Sequence, residues 1–242
     1  IADCVAAIFR DPVVTEVLVV DGGSTDRTVP RAEGAGARVI QHPYPPGAGG
    51  GRGGQIAAGV RSATGDLVAI VHADTRVAAG SLGRVSRLLD RHPDILGGAL
   101  GARFEDGGLF YRLLTAANDM RAVMMGISFG DQIQFFRRRR FLACSTYPDL
   151  PLMEDVELSL RLGRCGRQAF LFDTSTVSVR RWRRAGAGHA LKVIRLFCRY
   201  LWCRLWGPVD GGAFFHAYYE SAPTPPGVLK ARPERLSHRR RP

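Results

Sequence analysis

The stretch EVLVVDGGSTD (residues 16–26) indicates the fold, because an apolar run ends abruptly in a polar turn that contains glycine. Such a run is typical of a buried strand that leads into a turn. A second stretch of the same kind, LVAIVHAD (residues 67–74), follows later in the chain. Ligands of open α/β sheets bind outside the carboxyl ends of the strands, so Asp21 and Asp74 are candidate ligand-binding side chains.

Segments with strand-like and helix-like patterns alternate along the chain. This alternation predicts an α/β fold in which a mostly parallel sheet is flanked by helices. We expect a single domain over residues 1–220, and a disordered tail over residues 221–242, where a Pro- and Arg-rich composition shows no periodicity. The predicted strands lie at 16–20, 37–40 and 67–71 and near 97–104, 132–137 and 168–173, and the predicted helices at 1–10, 26–36, 55–63, 80–91 and 189–206 and near 108–122 and 153–163.

The composition is that of an ordinary globular protein, with 45% hydrophobic and 23% charged residues among 242. No apolar run reaches the length of about 18–20 residues that a membrane span needs, and we find no signal-peptide pattern. The five cysteines are scattered without a C-x-x-C pair, which implies neither a zinc site nor a disulfide framework and favours a reducing cytoplasm. We attribute most of the net charge of +12 to the arginine usage of a GC-rich genome. The remaining positive charge is interpreted as serving contacts with anionic substrates, anionic lipid or nucleic acid.

A glycine-rich loop at residues 42–54 separates the two acidic strand ends. It has two interpretations. It is a mobile surface loop, or it folds over a nucleotide so that Arg52 pairs with phosphate or base. Gln55, the next residue after the loop, is a further candidate for binding the nucleotide. Together with the acidic strand ends, the loop favours a site for a nucleoside diphosphate. The Asp74 carboxylate suits a divalent cation that is held jointly with phosphate oxygens.

Two further acidic segments allow a structural and a functional interpretation. Glu154 and Asp155 open a predicted helix, where the helix dipole stabilises acids, and their functional interpretation rests on a family resemblance. Asp131 in the Gly-Asp-Gln sequence at 130–132 is either a turn residue or part of the site. The four arginines at 137–140 are interpreted as a solvated turn.

The segments VVDGGSTDRT, GRGGQIAAGVRSATGD and LVAIVHADT occur in this order and resemble family 2 glycosyltransferases with the GT-A fold. The chain is most similar to short bacterial members of the selenodomain-associated or arsenosugar type, over residues 1–215. The resemblance implies a nucleotide-sugar donor whose nucleoside contacts Asp21 and the turn through Gly22 and Ser24. His72-Ala73-Asp74 matches the D-x-D motif, so the resemblance implies that Asp74 binds the metal. With His72 in the first position, Mn²⁺ is at least as plausible as Mg²⁺.

The same resemblance implies roles in the second half of the chain. Asp131 falls on the donor-sugar side, Asp155 is the general base of an inverting reaction, and Glu154 holds the acceptor or orients Asp155. The SVRRW sequence at 178–182 partly matches a Q-x-x-R-W motif. Arg181 would neutralise the leaving diphosphate, and Trp182 would stack on the acceptor. The missing glutamine argues against a processive polysaccharide synthase.

The apolar helix predicted at 189–206 has three interpretations: core packing, a homodimer interface, or peripheral attachment to an anionic membrane. The third would add an association with the inner face of the membrane to the cytoplasmic location. Two other functions are weighed for the whole chain. A nucleotidyltransferase of related fold would carry a G-x-G-x-R-x-x-P-K loop, which is not found. A non-catalytic basic module would bind nucleic acid, but no recognisable motif for it is present, so we expect no nucleic-acid partner.

The start of the chain carries one more expectation. In the resembling family, a strand with a P-x-x-N-E-like segment precedes the first helix and lies beside the strand that ends at Asp21. Residues 1–10 already resemble that first helix. We therefore expect an N-terminally truncated domain, a gap in its sheet, and impaired donor binding.

Overall fold

The computed structural model describes residues 1–43, 51–105, 108–177, 187–207, 209 and 211–219. Strands and helices alternate through most of this part of the chain, which confirms the predicted α/β class. The helices are α1 (Ala2–Phe9), α2 (Thr28–Gly34), α3 (Arg52–Ser62), α4 (Ser81–Arg91), α5 (Leu109–Met125), α6 (Arg138–Cys144), α7 (Glu154–Cys165), α8 (Ala187–Trp206) and α9 (Gly211–Tyr219), with a 3₁₀ turn at Gly130–Gln132. The strands are β1 (Leu18–Asp21), β2 (Arg38–Gln41), β3 (Leu67–Ile70), β4 (Thr75–Val77), β5 (Ile95–Phe104), β6 (Gln134–Arg137) and β7 (Arg167–Val177).

The strands form a parallel pair, β1 with β2, and a five-stranded sheet in the order β3-β6-β5-β7-β4. The larger sheet is mixed, because β5 and β7 are parallel while the other three pairings are antiparallel. The strand directions therefore differ from the mostly parallel prediction. The three antiparallel pairings all involve β6 or β4, which run opposite to β3, β5 and β7.

The antiparallel pairing of β3 with β6 brings the segment before β6 to the carboxyl end of β3. Ile70 at the end of β3 is the register partner of Gln134 at the start of β6. The 3₁₀ turn at Gly130–Gln132, which leads into β6, therefore lies at the carboxyl edge of β3. The helix α7 precedes β7, which runs parallel to β5, so the start of α7 faces the same edge.

The five-stranded sheet is covered on both faces. Neighbouring residues of a strand point to opposite faces, and Phe135 and Phe136 of β6 accordingly belong to two different apolar clusters. The first cluster includes residues of α1 and α4, and the second includes residues of α3, α6 and α7. A third cluster joins the start of α7 to α8 and α9 through Leu152, Met153, Val156, Leu196, Phe197, Tyr200 and Phe214.

A cavity of about 480 Å³ lies between β1 and β3. Among the described residues, β1 is paired only with β2 and β3 only with β6, so one edge of each strand faces this cavity. Its walls are mostly apolar, with residues 17–20 on one side and 67–71 on the other. Arg52, Gln55 and His72 also line it, so the cavity extends to the carboxyl edge of the strands.

Two sequence-based expectations are corrected by the fold. The arginines at 137–140 do not form a turn, because Arg137 ends β6 and the other three open α6. Arg137 donates to the carbonyl oxygen of Ile95 at 3.0 Å, and Arg138 donates to that of Gly65 at 3.1 Å. These side chains satisfy backbone carbonyls at the ends of neighbouring elements.

The cysteines give the second correction, since Cys144 and Cys165 form a disulfide between the ends of α6 and α7. The prediction failed because the pairing depends on the antiparallel approach of two helix ends, which spacing in the sequence does not reveal. Cys4, Cys198 and Cys203 are free thiols.

Candidate active site

The start of α7 carries the predicted acid pair, and both carboxylates are buried. Asp155 accepts two backbone hydrogen bonds: Oδ2 from the amide of Gly130 at 2.7 Å, and Oδ1 from the amide of Val156 at 2.8 Å. The first bond joins α7 to the 3₁₀ turn before β6. Asp155 is thereby fixed at the carboxyl edge of the sheet, with lone pairs on both oxygens remaining for a ligand.

Met153, the residue before this pair, has a left-handed backbone with φ of 64°. Left-handed conformations cost a residue other than glycine of the order of 1 kcal/mol or more, so packing must impose this one. The Met153 side chain is buried in the third apolar cluster, against residues of α8 and α9. These two helices therefore help to set the direction in which α7 begins.

Glu154 is more enclosed than Asp155, with a relative exposure of 1%. Among the described residues, no donor is hydrogen-bonded to either of its carboxylate oxygens. Arg52 Nε lies 3.0 Å from Oε1, at ion-pair distance but off the direction of a hydrogen bond. Burial, and next the neighbouring Asp155, raise the pKa of Glu154 to about 7, while Arg52 opposes the rise. The Arg52–Glu154 pair links the start of α3 to the acid pair.

The 3₁₀ turn at Gly130–Gln132 brings Asp131 to the same place. Oδ1 of Asp131 is buried and accepts no hydrogen bond from the described residues. Burial raises the pKa of Asp131 to about 6, and Arg121 opposes the rise. A Cβ atom on Gly130 would lie 2.3 Å from Nε2 of His72, so the end of β3 and this turn are in contact. His72, Asp131 and Asp155 therefore surround one glycine.

The turn after β1 holds Asp21 in a different way. Oδ2 of Asp21 accepts hydrogen bonds from the amides of Gly23 at 3.0 Å and Ser24 at 2.9 Å. The hydrogen bonds from Ser24 and Gly23 lower the pKa of Asp21, with the side chain of Ser24 the largest cause. Gly22 is half-buried, whereas Ser24 is exposed. The carboxylate stabilises its own turn and remains ionised there.

The last residues of the glycine-rich segment belong to a helix and not to a loop. Arg52 is the first residue of α3, and Gln55 lies one turn further along that helix. A Cβ atom on Gly51 would lie 1.9 Å from Cα of Pro151, and one on Gly53 would lie 2.3 Å from the carbonyl oxygen of Leu150. Only glycine fits this contact with the segment before α7.

Asp74 follows β3 and is exposed. Within the described residues, no three His, Cys, Asp or Glu side chains gather into a group that could hold a metal ion by itself. A Mg²⁺ or Mn²⁺ ion that keeps waters and takes phosphate oxygens needs only one or two protein carboxylates. The exposed Asp74 fits an ion of that kind, while it does not fit a closed metal site made by the protein alone.

A polar network behind the acid pair was missed by the sequence analysis. Arg121 of α5 donates to Oε1 of Gln132 at 2.7 Å and lies 3.4 Å from the ring centroid of Phe129. Gln134 donates to the backbone oxygen of Asp155 at 2.9 Å. This network fixes both the 3₁₀ turn and the first turn of α7. The sequence offers no signal for it, because its members lie on separate elements.

Two other buried groups near α7 were also missed. The Tyr147 hydroxyl is buried and has no hydrogen-bond partner among the described residues, and burial followed by the charge of Glu154 raises its pKa. Glu157 accepts hydrogen bonds from Tyr200, Arg161 and Arg204, each at 3.0 Å. Glu157 therefore ties α7 to α8, and its place in the acidic segment is structural.

Some predicted residues lie outside the described part of the chain. These are Arg181 and Trp182 with the rest of their motif at 178–182, residues 44–50 of the glycine-rich loop, and the tail at 221–242. The described residues that come together are Arg52, Gln55, His72, Asp131, Glu154 and Asp155.

Comparisons with known proteins identify the family and the fold of this chain. The model of the family "Glycosyl transferase family 2" matches residues 1–147. An uncharacterized glycosyltransferase of Mycobacterium tuberculosis is 38% identical over 93 residues, which is 38% of this chain and 40% of that protein. The match thus spans less than half the length of this curated relative.

Two solved structures share the fold. Glucosyl-3-phosphoglycerate synthase from Mycobacterium tuberculosis, in complex with Mn²⁺ and UDP-glucose, superposes with a TM-score of 0.54 and 20% identity over 86% of this chain and 76% of that one. A mannosyltransferase from Pyrobaculum calidifontis, in complex with GDP-Man and Mn²⁺, gives a TM-score of 0.60 and 18% identity over 89% and 64%. At these identities the likeness establishes the fold.

In the described part of the chain, no helix combines the length and the apolar character needed to cross a membrane.

Proposed function

Because this chain belongs to glycosyl transferase family 2 and has the GT-A fold, we propose that it transfers a sugar from a nucleoside-diphosphate donor to an acceptor hydroxyl. The reaction inverts the anomeric carbon and uses a divalent metal. Complexes of the two structural neighbours with Mn²⁺ and UDP-glucose or GDP-Man support this donor class and this ion.

The donor occupies the side of the cleft formed by β1 and β3. Asp21 and the turn through Gly22 and Ser24 contact the nucleoside, and Asp74 with His72 beside it faces the diphosphate. When bound, the metal neutralises the charge that builds up on the departing diphosphate. Arg52 lies on the acid-pair side of the donor and adds a second positive charge.

Asp155 acts as the general base on the acceptor side. It takes the proton of the acceptor hydroxyl as that oxygen bonds to the anomeric carbon, while the bond from this carbon to the diphosphate oxygen breaks. The two backbone amides that hold Asp155 keep its direction constant during the transfer. Glu154 is too enclosed to reach an acceptor, so its role is to hold Arg52.

The observation that carries the proposal is the 3.0 Å pair between Arg52 and Glu154. It joins the start of α3, which follows the glycine-rich loop, to the acids proposed to serve the acceptor, and these two regions are distant in the sequence. An inverting transfer needs a base on the face of the sugar opposite the leaving diphosphate, and this pair brings the two functions to one cleft.

Nucleotide-dependent thermal stabilisation tests the proposal. We expect UDP or GDP to raise the melting temperature of the protein only when Mn²⁺ or Mg²⁺ is present, because Asp74 shares the ion with the diphosphate. Asp74→Asn should abolish the response. Asp90→Asn, which changes an exposed carboxylate on α4, should leave it intact. A protein that responds to no nucleotide and binds DNA in a salt-sensitive way would instead be a basic binding module.

A further inference from the structure

The outer side of α8 is apolar and exposed, although its inner side is packed in the core. Trp202 has a relative exposure of 64% and Trp206 of 77%, and their ring centroids lie 6.0 Å apart. The exposed residues recur three or four positions apart, so they form one stripe along the helix. The outer face of α8 consists of Leu191, Ile194, Cys198, Trp202, Leu205 and Trp206.

The charges on α8 are all of one sign. Residues 187–206 contain four basic side chains and no acidic one. Arg204 is paired with Glu157 of α7, whereas Arg195 and Arg199 are exposed. The guanidinium of Arg199 lies 5.3 Å from the ring centroid of Phe214 in α9. Tryptophan rings beside arginines are the side chains that settle at the boundary between lipid headgroups and acyl chains, where anionic headgroups attract the cations.

A second copy of the chain is a poorer occupant of this face. A twofold interface places the same patch of both copies in contact, so Arg195 and Arg199 of one copy would approach those of the other. Since α8 has no acid to pair with them, this contact would bring like charges together. An anionic surface removes the conflict and covers the same apolar area.

We propose that the outer face of α8 docks on the surface of an anionic lipid membrane. The helix lies in the plane of the headgroups, with both tryptophans inserted and Arg195 and Arg199 at the phosphates. This proposal stands on α8 alone and does not depend on the transferase activity. It goes beyond the family assignment, which concerns residues 1–147.

The docking has a consequence for the site. The inner face of α8 packs against Met153 and Val156 through Leu196, Phe197 and Tyr200. Since a helix is about 10 Å across, docking would bring the start of α7 within roughly that distance of the membrane surface. The acceptor side of the cleft then opens beside the lipid headgroups.

Co-sedimentation of the full chain with lipid vesicles tests the docking. We expect at least tenfold stronger binding to phosphatidylcholine vesicles that contain about a third phosphatidylglycerol than to vesicles of phosphatidylcholine alone. Binding should weaken several-fold between about 0.1 M and about 0.5 M salt. The double variant Trp202→Glu, Trp206→Glu should lose binding to both kinds of vesicle while it keeps the melting temperature of the parent.

A matched control separates this face from apolar exposure in general. Met124→Glu changes a side chain of α5 with a relative exposure of 75%, and it should leave vesicle binding unchanged. Equal loss of binding in the control would overturn the assignment to α8. So would vesicle binding that survives in the tryptophan variant, which would indicate the arginines of the tail.

Sedimentation velocity in the absence of lipid tests the alternative that a second copy of the chain covers this face. A stable dimer at micromolar concentration that dissociates in the tryptophan variant, together with no binding to anionic vesicles, would show that a second copy covers the face and would overturn the proposal. A monomer that binds anionic vesicles supports it.

Discussion

The two sides of the cleft hold their carboxylates differently. On the donor side, Asp74 is exposed and the pKa of Asp21 is lowered by its own turn. On the acceptor side, burial raises the pKa of Glu154, and it also raises the pKa of Asp131 on the adjoining 3₁₀ turn, which the family resemblance assigns to the donor sugar. The donor side can accept the charge of a ligand and its ion, whereas the acceptor side already holds several charges in a small buried volume. The four predictions below test this contrast, from the largest expected effect to the smallest.

Asp155→Asn should give the largest effect, because it removes the proposed base. The single side-chain oxygen of asparagine can accept from only one of the two backbone amides, so the melting temperature of the variant is measured alongside its activity. We expect the release of nucleoside diphosphate from UDP-glucose or GDP-mannose to slow by about 10²- to 10⁴-fold. Stabilisation by UDP or GDP with Mn²⁺ should not change, since the donor side is intact. Full turnover in this variant would falsify the role of Asp155, and a loss of nucleotide binding would remove the contrast between the two sides.

Glu154 should make stability depend on pH. Its pKa of about 7 in the folded protein exceeds the value of 4.5 that applies when unfolded, so the folded state binds the proton more tightly. Its contribution to stability is therefore full below about pH 4.5 and is lost as the pH rises through about 7, by about 3 kcal/mol in total.

Glu154→Gln should flatten this pH dependence and stabilise the protein at pH 8. Urea unfolding at pH 5 and pH 8 measures both effects. Glu33→Gln, which changes an exposed carboxylate on α2, serves as the control and should leave the slope unchanged. An unchanged slope in Glu154→Gln would contradict the enclosed state of this side chain.

Gly130→Ala tests the contact between the two sides, because its Cβ atom would lie 2.3 Å from Nε2 of His72. We expect a loss of stability of about 1–3 kcal/mol, since the side chain of His72 must move. Nucleotide-dependent stabilisation should fall with it, because His72 belongs to the donor side. Gly34→Ala is a suitable control, as nothing lies within 4 Å of the position of its Cβ atom. Wild-type stability in Gly130→Ala would indicate that the two sides are independent.

Asp21→Ala should have the smallest effect, and its pH dependence should have the opposite sign to that of Glu154. The pKa of Asp21 is lowered in the folded protein, so its contribution is present above the unfolded value of about 4 and is lost as the pH falls. We expect a loss of about 1 kcal/mol at pH 7 that diminishes towards pH 3. Equal destabilisation at both pH values would show that the carboxylate charge has no part in the turn.

The sequence predicted the elements of the fold well where a local pattern decides them. The apolar runs before Asp21 and Asp74 became β1 and β3, and the predicted helix that begins at the acid pair became α7. The sequence analysis missed β4, α6 and α9. Three residues and a run of arginines carry no hydrophobic period, and α9 begins with two glycines. The strand directions also depend on which strands become neighbours, which no local pattern reports.

For the site, the sequence supplied candidates but no contacts. Arg52 and Glu154 were each singled out, yet their pairing requires α3 and α7 to meet, and neither segment contains information about the other. The network of Arg121, Gln132 and Gln134 was missed for the same reason. Buried polar groups find partners across the core, so their roles become readable only when the packing is known.

The glycine contacts at the start of α3 have a thermodynamic consequence. Gly51 and Gly53 leave no space between this helix and the segment from Leu150 to Pro151, so neither can move alone. If a nucleotide shifts the start of α3, it shifts the approach to Glu154 as well. Thermodynamic linkage then requires the effect to be reciprocal. If the bound nucleotide changes the affinity for an acceptor by some factor, the bound acceptor changes the affinity for the nucleotide by the same factor. Titrating either ligand in the presence of the other measures a single coupling free energy, which side chains at these two glycines would alter.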